Sequence, residues 1–261
     1  MQSDPVANIL TLQPLGELVV VLPGFVLLFL AHHFLTRSHA YARLIRTIAP
    51  RCLPDACAVA VRRIAFAVVV GAVPGILLIR CSEVTAPWIS PAGLLGPESF
   101  RWTVSIVALM SALSIALHRS PAAWHNYPQI RSPAWRPATH VLNVATWIPY
   151  LFACEFAYRG YLLFPLVEHI GISGAIAVST SLYAALHITR GPAESLGCVP
   201  VGALLAIASL HTGTIWVPYV AHLGAAVLND LLTFHANPSF RTVRRQEPLE
   251  EVHDENGDLL A

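Results

Sequence analysis

Seven apolar stretches run through this chain, at about 18–36, 62–80, 102–118, 141–166, 172–188, 197–211 and 214–234. A helix needs roughly 17–25 apolar residues to cross the hydrocarbon core of a bilayer. Lipid offers no hydrogen bonds, so a spanning backbone must satisfy its own polar groups, and helices do this within one segment. The pattern therefore predicts an all-α, polytopic transmembrane helix bundle of about seven spans. The lipid bilayer is its first partner, and the expected location is the cell membrane, as a multi-pass integral protein. There is no internal repeat.

Composition narrows the classes further. Charged residues make up 12% of the chain, about half of what a soluble domain carries, and apolar residues make up 55%. A soluble enzyme, a disordered chain and a nucleic-acid binder are excluded, and no nucleic-acid partner is expected. All sixteen basic residues are arginines, and their placement speaks to orientation. Arg37, Arg43, Arg46 and Arg51 follow the first span, with Arg62 and Arg63 closing that loop. Arg119, Arg131 and Arg136 follow the third span, and Arg241, Arg244 and Arg245 follow the seventh. Basic loops stay in the cytoplasm, so the N-terminus is expected outside and the C-terminus inside. The first seventeen residues hold Asp4 and Glu17 but no arginine, unlike a cleavable signal peptide. Five cysteines without metal-type spacing predict no disulfide framework.

Three regions result. Residues 1–140 form an N-terminal transmembrane region with basic cytoplasmic loops. Within it, 37–61 interleaves Arg with apolar residues and suits an amphipathic interfacial helix. The Pro- and Trp-rich loop 119–140, with Trp124 and Trp135, suits an interfacial position. Residues 141–235 form a helical core, and 236–261 a polar tail expected to be disordered, with six acids between 247 and 258.

Ionisable groups inside spans are expensive and default to functional candidates. Here they are Glu155 and Arg159 in span four, His187 near the end of span five, and His222, Asn229 and Asp230 in span seven. Glu17, His32 and His33 lie near span ends, where they can snorkel. Glu155 and Arg159 stand four apart on one helical face, so an internal ion pair is the plain reading. A lone intramembrane histidine is often only a helix–helix hydrogen-bond partner. One carboxylate and two imidazoles on separate helices are a different pattern. Converging in a bundle core, they activate water and stabilise an oxyanion.

These residues fall in a recognisable order. Cys154-Glu155-Phe156-Ala157-Tyr158-Arg159-Gly160 is followed by Tyr183-Ala184-Ala185-Leu186-His187, and then by His222-Leu223-Gly224-Ala225-Ala226. The order resembles the CPBP family of intramembrane proteases, which includes the CAAX prenyl endopeptidases and the Abi proteins. That family reads E-E-x-x-x-R-G, F-x-x-x-H and H-x-x-x-N on separate helices. The resemblance covers about 145–235. It implies an intramembrane endopeptidase that hydrolyses a peptide bond of a membrane-associated protein, such as a prenylated or leader-bearing one, by glutamate-activated water. It assigns Glu155, His187, His222 and Arg159 to the site. No cofactor is required, although Glu155, His187 and His222 also compose a possible zinc set.

The chain departs from the pattern at three points. The first glutamate of the pair, the family's usual base, is Cys154. The phenylalanine is Tyr183. The final asparagine is Ala226, with Asn229, seven residues after His222, as a substitute on the same face. Adjacent helical residues point about 100° apart, so Glu155 replaces a base at 154 only with a local rotation or a kink, for which Pro149 is the candidate. Two alternatives follow from the departures. One is a non-catalytic membrane protein of this type, acting by binding in an immunity or scaffold role. The other is a thiol enzyme built on Cys154, Arg159 and a histidine, similar to sortase-like transpeptidases. A transporter would want paired repeats of broken helices, which are not seen.

Overall fold

Apolar sequence becomes helix almost throughout. In the computed structural model, residues 13–48, 54–76 and 86–243 are described. Helix α1 is Gln13–Leu35 and α2 is His39–Ile48. Helix α3, Pro54–Phe66, runs on through a π-helical segment, Ala67–Ala72. Helix α4 is Pro97–Leu117 and the short α5 is Pro121–Asn126. Helix α6, Pro137–Glu155, continues as a π-helix, Phe156–Leu163, into α7, Phe164–Leu186. Helices α8, Pro192–Thr212, and α9, Trp216–Ala236, complete the set.

Five of the described helical stretches are long and apolar enough to cross a membrane, or six if the bent pair Val21–Leu35 and His39–Thr47 counts as one. The protein is an all-α, multi-pass membrane protein. One of the five stretches, Pro137–Leu186, is 50 residues long, far more than one crossing needs. It breaks at Gly171, where φ is +72° and ψ is 170°, a conformation open to glycine because it has no Cβ. A straight helix would hold Arg159 and Ser179 about 30 Å apart. They are hydrogen-bonded at 3.1 Å. The chain therefore reverses at Gly171, in the gap expected between spans four and five.

The residues group into two units. The first takes its described residues from Met1–His33, Val68–Trp102 and Ala153–Pro218, the second from Phe34–Ala67, Thr103–Phe152 and Tyr219–Ala261. In the second, α6 and α9 run antiparallel. Phe152 meets Tyr219 with ring centroids 5.7 Å apart, Trp147 meets Asp230 at 2.7 Å, and His140 meets Phe234 with centroids 4.9 Å apart. At one end of this unit Ala56, Val59, Ile130, Trp135 and Phe234 form a buried cluster. A two-residue parallel pair, Ala134–Trp135 with Arg241–Thr242, closes over it.

Several expectations change here. Trp135 is a core residue, 1% exposed, rather than an interfacial anchor. The stretch beyond 236 stays ordered as far as Val243, whose N–H donates to the Trp135 carbonyl at 2.8 Å. Residues 244–261, which hold the acidic run, lie outside the described residues. Cys57 is disulfide-bonded, against the expectation from cysteine count, whereas Cys154 and Cys198 are free and buried. Arg63 is not a loop charge: it is 1% exposed, and its neighbour Arg62 is the exposed one. Helix α2 is amphipathic, as the sequence suggests, with Arg43 and Arg46 exposed.

Candidate active site

Glu155 is the last α-helical residue before the π-helix. Wider i→i+5 turns of this kind often occur at functional sites. The departure from α geometry comes directly after Glu155 and not at Pro149, through which α6 continues. Glu155 Oε2 lies 3.3 Å from Arg159 Nε, and both side chains are fully buried. Burial of two charges requires close compensation, because each loses its hydration. Arg159 finds more than the carboxylate. Its Nη1 donates to Ser179 Oγ at 3.1 Å, and its guanidinium carbon sits 5.3 Å from the Tyr183 ring centroid, within cation–π range.

Tyr183 links this pair to His187. The two rings lie 4.6 Å apart, and His187 Nδ1 is 2.7 Å from the Tyr183 carbonyl. That carbonyl can only accept, so Nδ1 carries the proton and Nε2 is the ring's acceptor nitrogen. The hairpin explains the depth. Gly171 is sixteen residues from Glu155 and sixteen from His187. An antiparallel return therefore brings His187 to about the level of Glu155. The span boundaries read from sequence put His187 near the end of span five instead, because that span was drawn without this symmetry.

The first unit thus assembles Glu155, Arg159, Tyr183 and His187 into one connected set. His222, half-buried, Asn229, half-buried, and Asp230, buried, stand on the part of α9 that belongs to the second unit. Sequence reasoning did not single out Ser179 or treat Tyr183 as a site residue. The signal was available: Ser179, Tyr183 and His187 recur every four residues and form one polar stripe on α7 and its C-cap.

Trp88 was also missed. Its ring stacks on Phe164 at 5.8 Å and tilts against Phe156 at 5.6 Å. It also fills the space beside Gly160, where an ideal Cβ would come within 2.3 Å of Trp88 Cζ3. The glycine of the R-G motif is there to admit this ring. Gly160→Ala should overpack the π-helix and destabilise the protein by about 1–3 kcal/mol. The check is the thermal midpoint in detergent, and Trp88→Leu added to Gly160→Ala should recover most of the loss.

On the other side of α7, Leu22, Pro23 and Val26 of α1 face Ala177, Val178, Ser181 and Leu182 across an apolar groove of about 640 Å³.

Residues 136–228 match the family model for type II CAAX prenyl endopeptidases, described as Rce1-like. The chain carries an Rce1-like segment. The match spans 93 of the 261 residues. The Rce1-like segment contains Glu155, Arg159, Tyr183, His187 and His222, and it stops one residue before Asn229. No curated protein and no solved structure matches the chain.

Proposed function

We propose that this protein is an intramembrane endopeptidase of the cell membrane, with its N-terminus outside and its C-terminus in the cytoplasm, that hydrolyses a peptide bond of a membrane-associated protein. The observation that carries the reading is the buried Glu155–Arg159 pair joined through Tyr183 to His187, inside the Rce1-like segment. Glu155 takes a proton from the attacking water while its oxygen adds to the scissile carbonyl. His187 accepts a hydrogen bond from the water through Nε2, His222 donates to the oxyanion that develops, and Asn229 supplies a further donor. The proton passes to the departing amine. Arg159 holds the carboxylate and Ser179 holds Arg159, so the pair keeps one geometry. The apolar groove beside α7 supports a substrate with an apolar chain, such as a prenyl group.

The test is cleavage by the purified protein in lipid nanodiscs. The probes are a prenylated cysteine peptide and the same peptide without the prenyl group. Cleavage of the first at a higher rate is expected; cleavage of neither would remove the enzymatic reading. A metal-free mechanism also predicts that dialysis against a strong zinc chelator leaves the rate within about twofold. A loss restored by added zinc would instead favour Glu155, His187 and His222 as a His₂Glu zinc set.

One observation favours a second reading, a non-catalytic binding or scaffold protein. The position of the family's first glutamate holds Cys154, and the Glu155 carboxylate is fully buried in its ion pair. That reading predicts no turnover by wild type under any lipid condition.

A further inference from the structure

A second buried ionic cluster lies wholly within the second unit. Arg63 on α3 donates five of the hydrogen bonds in this cluster. Its Nε and Nη2 donate to Gln129 Oε1 at 3.2 and 3.1 Å. Its Nη1 reaches the Asn143 carbonyl and Oδ1, both at 2.9 Å, and Thr146 Oγ1 at 3.1 Å. Its central carbon sits 3.7 Å from the Trp147 ring centroid. Asp230 on α9 lies opposite. Its Oδ2 accepts from Asn143 Nδ2 at 2.9 Å and Trp147 Nε1 at 2.7 Å, and faces Arg63 Nη2 at 3.8 Å.

The arrangement has a direction. Asn143 and Trp147 are four apart on one face of α6, and both point their donors at one oxygen of α9. Asn143 also accepts from Arg63, which fixes its amide orientation. Apolar side chains can slide past each other at little penalty, but a slip here would break two hydrogen bonds to a buried carboxylate. Buried polar groups that fix helix register are the best-attested use of such clusters. The position is also informative. Trp147 lies eight residues before Glu155 on α6, and Asp230 lies eight residues after His222 on α9. A slip of one turn would move either helix by about 5.4 Å.

We infer that Arg63 and Asp230 are positioning residues, whose network sets the axial register of α6 against α9 within the second unit and with it the position from which His222 serves the proposed reaction. The second half of this statement rests on the proposed proteolytic function; the first does not.

The experiment separates the two. Phe152→Cys and Tyr219→Cys, introduced with Cys154→Ala and Cys198→Ala, report the register by their rate of oxidative cross-linking. Into this reporter go Trp147→Phe, which removes only a donor to Asp230, Asp230→Asn, which removes the charge, and Asp230→Glu as the conservative change. The same three changes are made in the otherwise native chain for kinetics on the prenylated peptide. The expected result is a cross-linking rate at least fivefold lower in Trp147→Phe and Asp230→Asn, with partial recovery in Asp230→Glu. In the kinetic set kcat should fall about tenfold with KM within twofold. A cross-linking rate within twofold of the reporter's own, in protein that elutes as a single folded species, would overturn the register role. A lowered cross-linking rate with unchanged kcat would overturn the role in the reaction. If Asp230→Asn does not fold, Trp147→Phe decides. If wild type cleaves nothing, the proteolytic reading and the placement claim fall together, and cross-linking still decides the register.

Discussion

Glu155→Gln is expected to abolish cleavage, with a loss of at least about a hundredfold, the lower end of what a positioned general base contributes. The substitution keeps shape and volume while removing the proton acceptor. Cys154→Ala is the matched control. In the glutamate mechanism it is nearly silent, because the thiol is a buried neighbour of the base. A thiol enzyme reverses the order, since there the thiolate is the attacking group. Cys154→Glu restores the paired carboxylates of the family motif and should keep or raise the rate. The measurement is turnover of the prenylated peptide by each purified variant. Full activity in Glu155→Gln would eliminate the glutamate mechanism, and turnover lost only in Cys154→Ala would put the thiol in its place.

Arg159→Leu should be the most damaging single change to the folded protein. Glu155 and Arg159 are both fully buried, and removing one partner of a buried pair costs about 3–5 kcal/mol because the other charge stays behind. The loss extends to the hydrogen bond with Ser179 and the contact with the Tyr183 ring. The expected outcome is a severalfold drop in monodisperse protein extracted from membranes, together with loss of cleavage. Arg159→Leu combined with Glu155→Leu should regain yield, because no charge is stranded, while cleavage stays absent. A normal yield from Arg159→Leu alone would show that the pair does not hold this region together.

Much of the architecture was readable because lipid imposes so simple a rule. Apolar runs of spanning length had to be helices, and among the described residues they are. The pairing of Glu155 with Arg159 was also readable, from a four-residue spacing within one helix. What was hidden depends on distant partners. Arg62 and Arg63 look alike at the edge of an apolar run, and distant partners, Gln129, Asn143, Thr146 and Asp230, make one of them a core residue. The π-helix leaves no compositional trace, so the turn following Glu155 could not be anticipated, and the kink was sought at Pro149 instead. Trp135 looked like an interfacial anchor because tryptophan is amphipathic. It is buried because the segment at 241–243 folds back over it. Ser179, Tyr183 and His187 were a legible stripe, but their relation to Glu155 required knowing where the chain turns.

The turn at Gly171 has a consequence for how the protein enters the bilayer during synthesis. The helices on either side are joined by a corner rather than a loop, with Glu168 and Ser173 beside it and exposed. Nothing there is long enough to let the first helix settle in lipid while the second waits outside. The two are expected to enter the bilayer together, as a hairpin. Arg159 then meets Ser179 and the Tyr183 ring during that same step, so its charge enters hydrocarbon already escorted by the helix that follows it.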